Sequence, residues 1–457
     1  MAGIGFELRH LQRKNTLFSI FQTYAYASVI GSGPWVFSIV GILLMGVLSV
    51  GLVSPAHLVT QFQTSVTYLV AFSLMWTGLA QLAFTRFISD RLFEKRYELV
   101  LPNLHGLLLL VMGTGAFWGL IACFTVLSGQ GLLYRVLMLA GFCLLCGIWI
   151  LTVLLSGMKR YKAITWLFGA SYALIVALSL GLRYFGLEGL LGSFVLGHFI
   201  MFCGMWLMVL REFNPRRRLI AFDFLRPSWL YWSLVMTGFL YNFGIWADKL
   251  MFWFFPETSQ AIIGGLRASI IYDIPVFLSY LSIIPGMAVF LVRIETDFVE
   301  YYDKFYNAVR DGGSLQFIES MRNEMVYAIQ SGLAEIAKIQ TLAVLVTFVM
   351  GPFVLDLLGI SQLYLPLLHV QVVGAALQVG VMAVLNVFFY LDQRRIVVWL
   401  CAEMVVLNVV FTGISLALDP AFYGYGFTLA MLVTLSTGLV LLSKELGRLE
   451  YKTFMLQ

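Results

Sequence analysis

The chain has 457 residues, of which 60% are hydrophobic and only 12% are charged. Because a soluble globular protein carries roughly 25% charged residues, this composition excludes a water-soluble fold. The net charge of +5 is not gathered into the basic face that nucleic-acid binding requires. The five cysteines all fall inside apolar runs, which indicates buried thiols rather than a disulfide framework.

The N-terminal segment, residues 1–23, begins without the continuous apolar region of a cleaved secretory signal. Its apolar residues recur at helical spacing opposite polar ones, with Ile4, Leu8 and Leu11 against Arg9, Gln12 and Arg13. This pattern predicts a cytoplasmic amphipathic helix that lies on the membrane surface. An ordinary solvated helix start is the alternative.

Apolar runs of about 20 residues, the length that crosses a bilayer as a helix, recur along the chain and predict twelve transmembrane helices. In the first half the runs lie near 24–52, 60–84, 103–127, 134–156, 164–182 and 188–210. In the second half they lie near 229–255, 262–291, 335–357, 364–390, 396–418 and 421–443.

The orientation follows from the basic residues between these runs. Nearly all of the 29 Lys and Arg residues fall in alternate connecting segments, which the positive-inside rule places in the cytoplasm. Both termini are therefore predicted to be cytoplasmic, and an even number of spans agrees with this.

Dividing the chain at the basic loop near 220 leaves six runs on each side. The sequence therefore predicts an all-α integral membrane protein with two six-helix lobes around a central cavity, the first at 24–218 and the second at 219–457. The second lobe contains a cytoplasmic insertion at 293–334, where charges mix with aromatic residues. We expect amphipathic helices here that dock a partner, with a solvated linker as the alternative. The predicted docking residues are Arg216, Arg217, Arg218, Phe298, Tyr301 and Tyr302.

The seventh run carries ionisable and aromatic residues on neighbouring helical faces, and such groups inside a membrane usually face a cavity or a partner. At about 1.5 Å per residue, Asp248 lies about 12 Å before Pro256, and Arg267 lies about 9 Å into the eighth run. The matched depths predict a cross-helix ion pair between Asp248 and Arg267. This pair would line the substrate pathway; the alternative interpretation is that the two residues only neutralise each other's buried charge. The predicted pathway residues are Tyr241, Asn242, Trp246, Asp248, Lys249 and Arg267.

Three further polar residues fall inside apolar runs, namely Glu403, His198 and Asp273. Glu403 is the candidate for proton coupling, and a satisfied hydrogen bond is the alternative reading. A structural role is the leading interpretation of His198 and Asp273. The sequence contains no phosphate-binding loop and no H-E-x-x-H motif, and its histidines are dispersed, so we expect no catalytic residue, no metal and no cofactor.

The opening MAGIGFELR and the run from Tyr24 to Trp35, read together with the layout of six plus six spans, resemble the PelG family. Members of that family are inner-membrane subunits of the Pel exopolysaccharide system and belong to the multidrug/oligosaccharidyl-lipid/polysaccharide flippase superfamily. The resemblance implies two lobes that face each other across a cavity and export of a polymer rich in N-acetylgalactosamine. It also implies three partners: the cytoplasmic glycosyltransferase PelF, the cyclic-di-GMP receptor PelD and the membrane-anchored PelE.

Three alternatives to polymer export remain at this point. The chain could flip a lipid-linked oligosaccharide, act as a membrane-embedded enzyme, or serve as a non-transporting scaffold of a synthase complex. An enzyme would need clustered histidines or paired carboxylates at a membrane face, and a scaffold would need no polar cavity. The drive for export would come from an ion gradient, from the advancing polymer or from a partner.

Overall fold

The computed structural model describes residues 22–28, 57–158, 160–213, 218–227 and 229–455. Most of the predicted amphipathic segment 1–23 and most of the predicted first span therefore lie outside the described residues. The chain divides into two compact units, a first unit of residues 33–270 and a second unit of residues 1–32 and 271–457.

The first unit consists of six described helices and one hairpin. The helices are α1 (His57–Phe93), α2 (Val100–Thr125), α3 (Leu132–Gly157), α4 (Tyr161–Leu182), α5 (Gly186–Glu212) and α6 (Trp232–Phe254). Short 3-10 turns at Tyr97–Leu99, Arg183–Phe185 and Asp223–Leu225 join them. The strands β1 (Gln260–Ile263) and β2 (Leu266–Ala268) pair antiparallel.

Helix α6 crosses α1 at a pair of glycines. A Cβ atom built on Gly238 would lie 2.1 Å from the carbonyl oxygen of Gly78, and one on Gly78 would lie 2.6 Å from the carbonyl oxygen of Gly238. Small residues allow the backbones of membrane helices to approach this closely. This crossing fixes the position of α6 in the first unit.

The β-hairpin caps one end of the first unit. Its turn requires glycine at position 264, where φ is +56°. The Gly265 amide donates to the Val126 carbonyl oxygen at 2.9 Å, and the Gln61 side chain donates to the Ile262 carbonyl oxygen at 3.3 Å. The hairpin is therefore held by both α1 and the turn after α2.

The second unit contains residues 22–28, which are helical, and the helices from residue 271 onward. These are α7 (Ile270–Leu281), α8 (Ile284–Val292), a π-helical turn (Arg293–Phe298), α9 (Val299–Arg310), α10 (Leu315–Leu357), α11 (Leu365–Tyr390), α12 (Arg394–Ala417), α13 (Tyr425–Gly447) and α14 (Leu449–Met455). Turns at Gln362–Tyr364 and Pro420–Phe422 are 3-10 helical. Glycines on α11 and α13 let these helices pack closely, since a Cβ on Gly374 would lie 2.7 Å from Thr428 Oγ1.

Eight helical segments among the described residues are long and apolar enough to cross a membrane. The number rises to nine if Ile270–Leu281 and Ile284–Arg310, which are bent by 40°, form one broken span. The chain is thus an all-α, multi-pass membrane protein. The count of twelve spans and the two lobes around a cavity stay predictions.

Two sequence expectations differ from the structure. The predicted eighth span at 262–291 is a hairpin followed by a broken helix, because the Gly264–Gly265 turn and Pro285 interrupt the apolar run. The predicted boundary at 218/219 does not coincide with the division into units, because α6 packs on α1. The helices expected in the insertion at 293–334 are present as the π-helical turn, α9 and the first part of α10, which continues into an apolar part.

Candidate functional site

A buried pair of opposite charges lies on α6. The side chain of Asp248 is 0% exposed and that of Lys249 is 4% exposed. Lys249 Nζ donates to Asp248 Oδ2 at 3.1 Å and to the Ile245 carbonyl oxygen at 2.9 Å. Burying an ammonium or a carboxylate alone costs free energy, and pairing the two opposite charges lowers the cost of burying each. The structure therefore brings together two of the predicted pathway residues.

The predicted ion pair between Asp248 and Arg267 is wrong. Arg267 lies on β2 rather than in a helix, and its Nη2 donates to Ser259 Oγ at 2.6 Å. Within the described part of the chain, no carboxylate forms an ion pair with this guanidinium. The depth argument failed because it assumed a helical rise through a segment that is a strand.

The backbone of Arg267 is held by a tyrosine of α1. Tyr68 Oη donates to the Arg267 carbonyl oxygen at 2.8 Å and accepts from its amide at 3.2 Å. The same ring stacks on Trp253 of α6, with centroids 4.6 Å apart. Trp253 in turn contacts Trp246 at 6.1 Å. A row of aromatic rings therefore connects the hairpin with the charged face of α6.

The other predicted pathway residues are half-buried on α6. Tyr241, Asn242 and Trp246 each keep part of their side chain accessible. The amide of Asn242 donates to the carbonyl oxygen of Gly238 at 2.8 Å, beside the glycine crossing. These residues therefore share one helix with Asp248 and Lys249, as the spacing predicted.

The three secondary candidates have separate surroundings. His198 is 1% exposed; its Nδ1 lies 2.8 Å from the Phe194 carbonyl oxygen and its Nε2 lies 3.4 Å from Tyr172 Oη. Asp273 lies in the first turn of α7, where a carboxylate is favoured by the helix dipole. Glu403 Oε1 accepts from Thr437 Oγ1 at 2.9 Å, while no described residue donates a hydrogen bond to Oε2.

The predicted docking residues differ in accessibility. Phe298 is fully buried and contacts the ring of Tyr390 at 5.5 Å, so it is part of the core. Tyr301 and Tyr302 on α9 are half-buried, and Lys304 Nζ lies 5.1 Å from the Tyr301 ring centroid. Arg218 is exposed, whereas Arg216 and Arg217 lie outside the described residues.

Sequence reasoning missed a seam of polar contacts along α11 in the second unit. The Gln371 amide donates to Tyr272 Oη at 2.7 Å, and Tyr280 Oη donates to Gln378 Oε1 at 3.0 Å. At the other end, Glu295 accepts hydrogen bonds from Asn386 at 2.9 Å and from Tyr390 at 2.8 Å. Amides recurring at intervals of seven and eight residues in an apolar run were the available signal.

A second network missed from sequence surrounds Arg293. Its Nε donates to Glu335 Oε2 at 2.5 Å, and its Nη1 donates to Asp297 Oδ2 at 2.7 Å. Tyr24 Oη donates to the other oxygen of Glu335 at 2.9 Å. The network ties residues 22–28 and the π-helical turn to α10.

Among the described residues, no group of three or more His, Cys, Asp or Glu side chains could hold a metal ion.

Comparison with solved structures identifies the fold. A multidrug resistance MATE family transporter of the MOP superfamily, in an outward-facing conformation, has a TM-score of 0.68 and 15% identity over 94% of this chain and 96% of that chain. MATE in a bent conformation has a TM-score of 0.62 and 17% identity over 94% and 96%. A MOP superfamily transporter from Pyrococcus furiosus has a TM-score of 0.59 and 15% identity over 93% and 96%. The chain therefore has the fold of MATE and MOP superfamily transporters.

The family is defined by sequence. No curated protein matches the chain. The family model of PelG, described as "Putative exopolysaccharide Exporter (EPS-E)", matches residues 1–454. The chain belongs to the PelG family.

Proposed function

We propose that the chain exports an exopolysaccharide rich in N-acetylgalactosamine across the bacterial inner membrane, as a cytoplasmic glycosyltransferase synthesises the polymer. The observation that carries this proposal is the match of nearly the whole sequence to a family of exopolysaccharide exporters. The fold, shared with transporters, supports movement of a solute rather than chemical conversion.

The geometry of α6 supports a role in the pathway. An isolated charge inside a membrane helix costs about 2.5–3.5 kcal/mol at the centre of the bilayer, so Asp248 and Lys249 are costly to keep. Half-buried Tyr241 and Trp246 on the same helix offer ring faces, and such faces can pack against the apolar faces of sugars. We assign these residues, with Asn242 on the same helix, to the export path.

Arg267 would extend this path to the hairpin. Its guanidinium is half-buried and is hydrogen-bonded only to Ser259 among the described residues. It therefore has donors left for a hydroxyl or carbonyl oxygen of a passing sugar. Glu403, one of whose carboxylate oxygens accepts no hydrogen bond from the described part of the chain, is the residue we propose for proton coupling.

The proposed partners are the glycosyltransferase PelF, the cyclic-di-GMP receptor PelD and the membrane-anchored PelE. We place both termini, the loop with Arg218 and helix α9 in the cytoplasm, because the basic residues of the chain concentrate in these segments. The exposed faces of Tyr301 and Tyr302 would then be accessible to a synthase. Replacing Tyr301 and Tyr302 by serine should lower co-purification of PelF, and unchanged co-purification would remove this assignment.

The test of export is reconstitution. Vesicles that contain the chain and its glycosyltransferase partners, supplied with labelled nucleotide sugar outside, should accumulate labelled polymer inside. Vesicles with the partners alone provide the control. Active synthesis without enclosed polymer would contradict polymer export, and enclosure of short lipid-linked sugars alone would favour a flippase.

A further inference from the structure

A groove separates α10 from α13 within the second unit. Its volume is about 290 Å³. Its walls are mainly apolar, with Val326, Ile329 and Leu333 on α10 and Leu439, Leu442 and Leu446 on α13. Apolar walls of this kind can pack against the acyl chain of a lipid.

The groove lies at the end of a membrane span. Helix α13 has 23 residues, and about 20 residues suffice to cross the hydrocarbon core, so its last turn reaches the headgroup region. Tyr327 follows the groove residue Val326 and is 67% exposed. Tyr451 follows Glu450 and is 63% exposed. Exposed tyrosines are typical of the membrane–water interface.

Basic residues flank this end of the groove. Arg322 lines the groove and forms an ion pair with Glu450 at 3.4 Å, and its Nε has no hydrogen-bond partner among the residues that the structure describes. Lys444 and Arg448 follow groove residues Ser443 and Gly447 and are exposed. In the part of the chain that the structure describes, neither Lys444 nor Arg448 forms an ion pair.

These two cations are placed to share one anion. Lys444 lies in the last turn of α13, and Arg448 is the C-cap residue of the same helix. Positions four apart along a helix are neighbours, so the long side chains of Lys444 and Arg448 can both reach one phosphate. Basic pockets between membrane helices bind anionic lipid headgroups. The positive charge of this end of the groove complements such a headgroup, and the leucine-rich walls complement its acyl chain.

We propose that the α10–α13 groove is a binding site for an anionic glycerophospholipid. One acyl chain fills the groove, and the phosphate lies between Lys444 and Arg448. The lipid joins α10 to α13 at the membrane surface, at the level where Arg322 forms its ion pair with Glu450.

Native mass spectrometry of the full chain in detergent tests the site. Dioleoylphosphatidylglycerol and dioleoylphosphatidylcholine are added in equal amounts, and the phosphatidylglycerol is expected to be retained preferentially. Each basic residue near an anionic headgroup contributes about 1 kcal/mol, so replacing Lys444 and Arg448 together by glutamine should weaken phosphatidylglycerol binding by roughly 25-fold. Ser443→Trp, which fills the groove from an exposed position, should reduce retention of the bound lipid as well.

The matched control is Lys338→Gln, which removes an exposed cation from α10 outside the groove and should leave the preference unchanged. Thermal unfolding without added lipid verifies that each variant is folded. Equal retention of both lipids by the unaltered chain would overturn the proposal, as would a preference that survives the Ser443 and the double substitutions. Displacement of the lipid by equimolar glycerol 3-phosphate would also overturn it, because a phosphate site alone would then explain the binding.

Discussion

The glycine crossing of α1 and α6 predicts that Gly238→Ala will disrupt the first unit. The added methyl group would lie 2.1 Å from the carbonyl oxygen of Gly78, whereas ordinary contact begins at 3.4 Å. The atom in the way belongs to the backbone, so it cannot rotate aside, and the two helices must separate by the difference between these distances.

The expected cost follows from two opposing effects. Overpacking a close contact costs roughly 1–3 kcal/mol, and a rigid backbone contact belongs near the upper end. Replacing glycine by alanine inside a helix gains about 1 kcal/mol. The net destabilisation of Gly238→Ala is therefore about 2 kcal/mol, which corresponds to a fall in melting temperature of roughly 4–8 °C for a unit of 150–250 residues.

The assay is thermal unfolding of the purified protein in detergent, with polymer export measured in the same variants. Gly113→Ala on α2 is the matched control, because a Cβ there meets no atom of a described residue within 4 Å. Export should fall in Gly238→Ala because α6 carries Asp248 and Lys249. A melting temperature equal to that of Gly113→Ala would refute the packing argument.

Three further predictions concern the contacts of Glu295, the role of Arg267 and the orientation of the chain in the membrane. Glu295→Ala should lower the melting temperature, because two half-buried donors lose their acceptor at about 1 kcal/mol each, and Glu295→Gln, which keeps an acceptor oxygen, should lower it less; equal losses would contradict this. Arg267→Ala should reduce export while Arg267→Lys retains part of it, with abundance near normal in immunoblots; normal export in the alanine variant would remove Arg267 from the path. A cysteine at Gln130 should react with an impermeant reagent in intact cells, and one at Asp311 should not; labelling at 311 would reverse the proposed orientation.

The helices of the first unit could largely be predicted from apolar runs. The runs at 103–127 and 134–156 correspond to α2 (Val100–Thr125) and α3 (Leu132–Gly157), because a continuous apolar stretch of this length has few structural solutions in a bilayer. The run at 262–291 was predicted to be one transmembrane helix, but it contains part of a hairpin and a broken helix. Hydrophobicity alone does not distinguish a strand from a helix over a few residues.

The polar contacts could not be predicted in the same way. Asp248 and Lys249 stand out because they are charged residues in an apolar run. Their partners depend on side-chain direction, and a lysine that folds back on the preceding carboxylate is not visible in helical spacing. The contact between Glu295 and Tyr390 joins residues far apart in sequence, so only the packing of α11 beside the π-helical turn reveals it.

The length of α10 has a mechanical consequence. Its 43 residues extend for about 65 Å at 1.5 Å per residue, roughly twice the thickness of the hydrocarbon core. About half of this rod therefore extends beyond the hydrocarbon core, into the headgroup layers and the water. A tilt of about 10° within the membrane would move the far end by roughly 5 Å, about one helical turn. A small tilt of α10 in the lipid would therefore produce a displacement of its far end that a protein in the aqueous phase can detect. A protein that moves this end would in turn tilt the part of α10 inside the membrane.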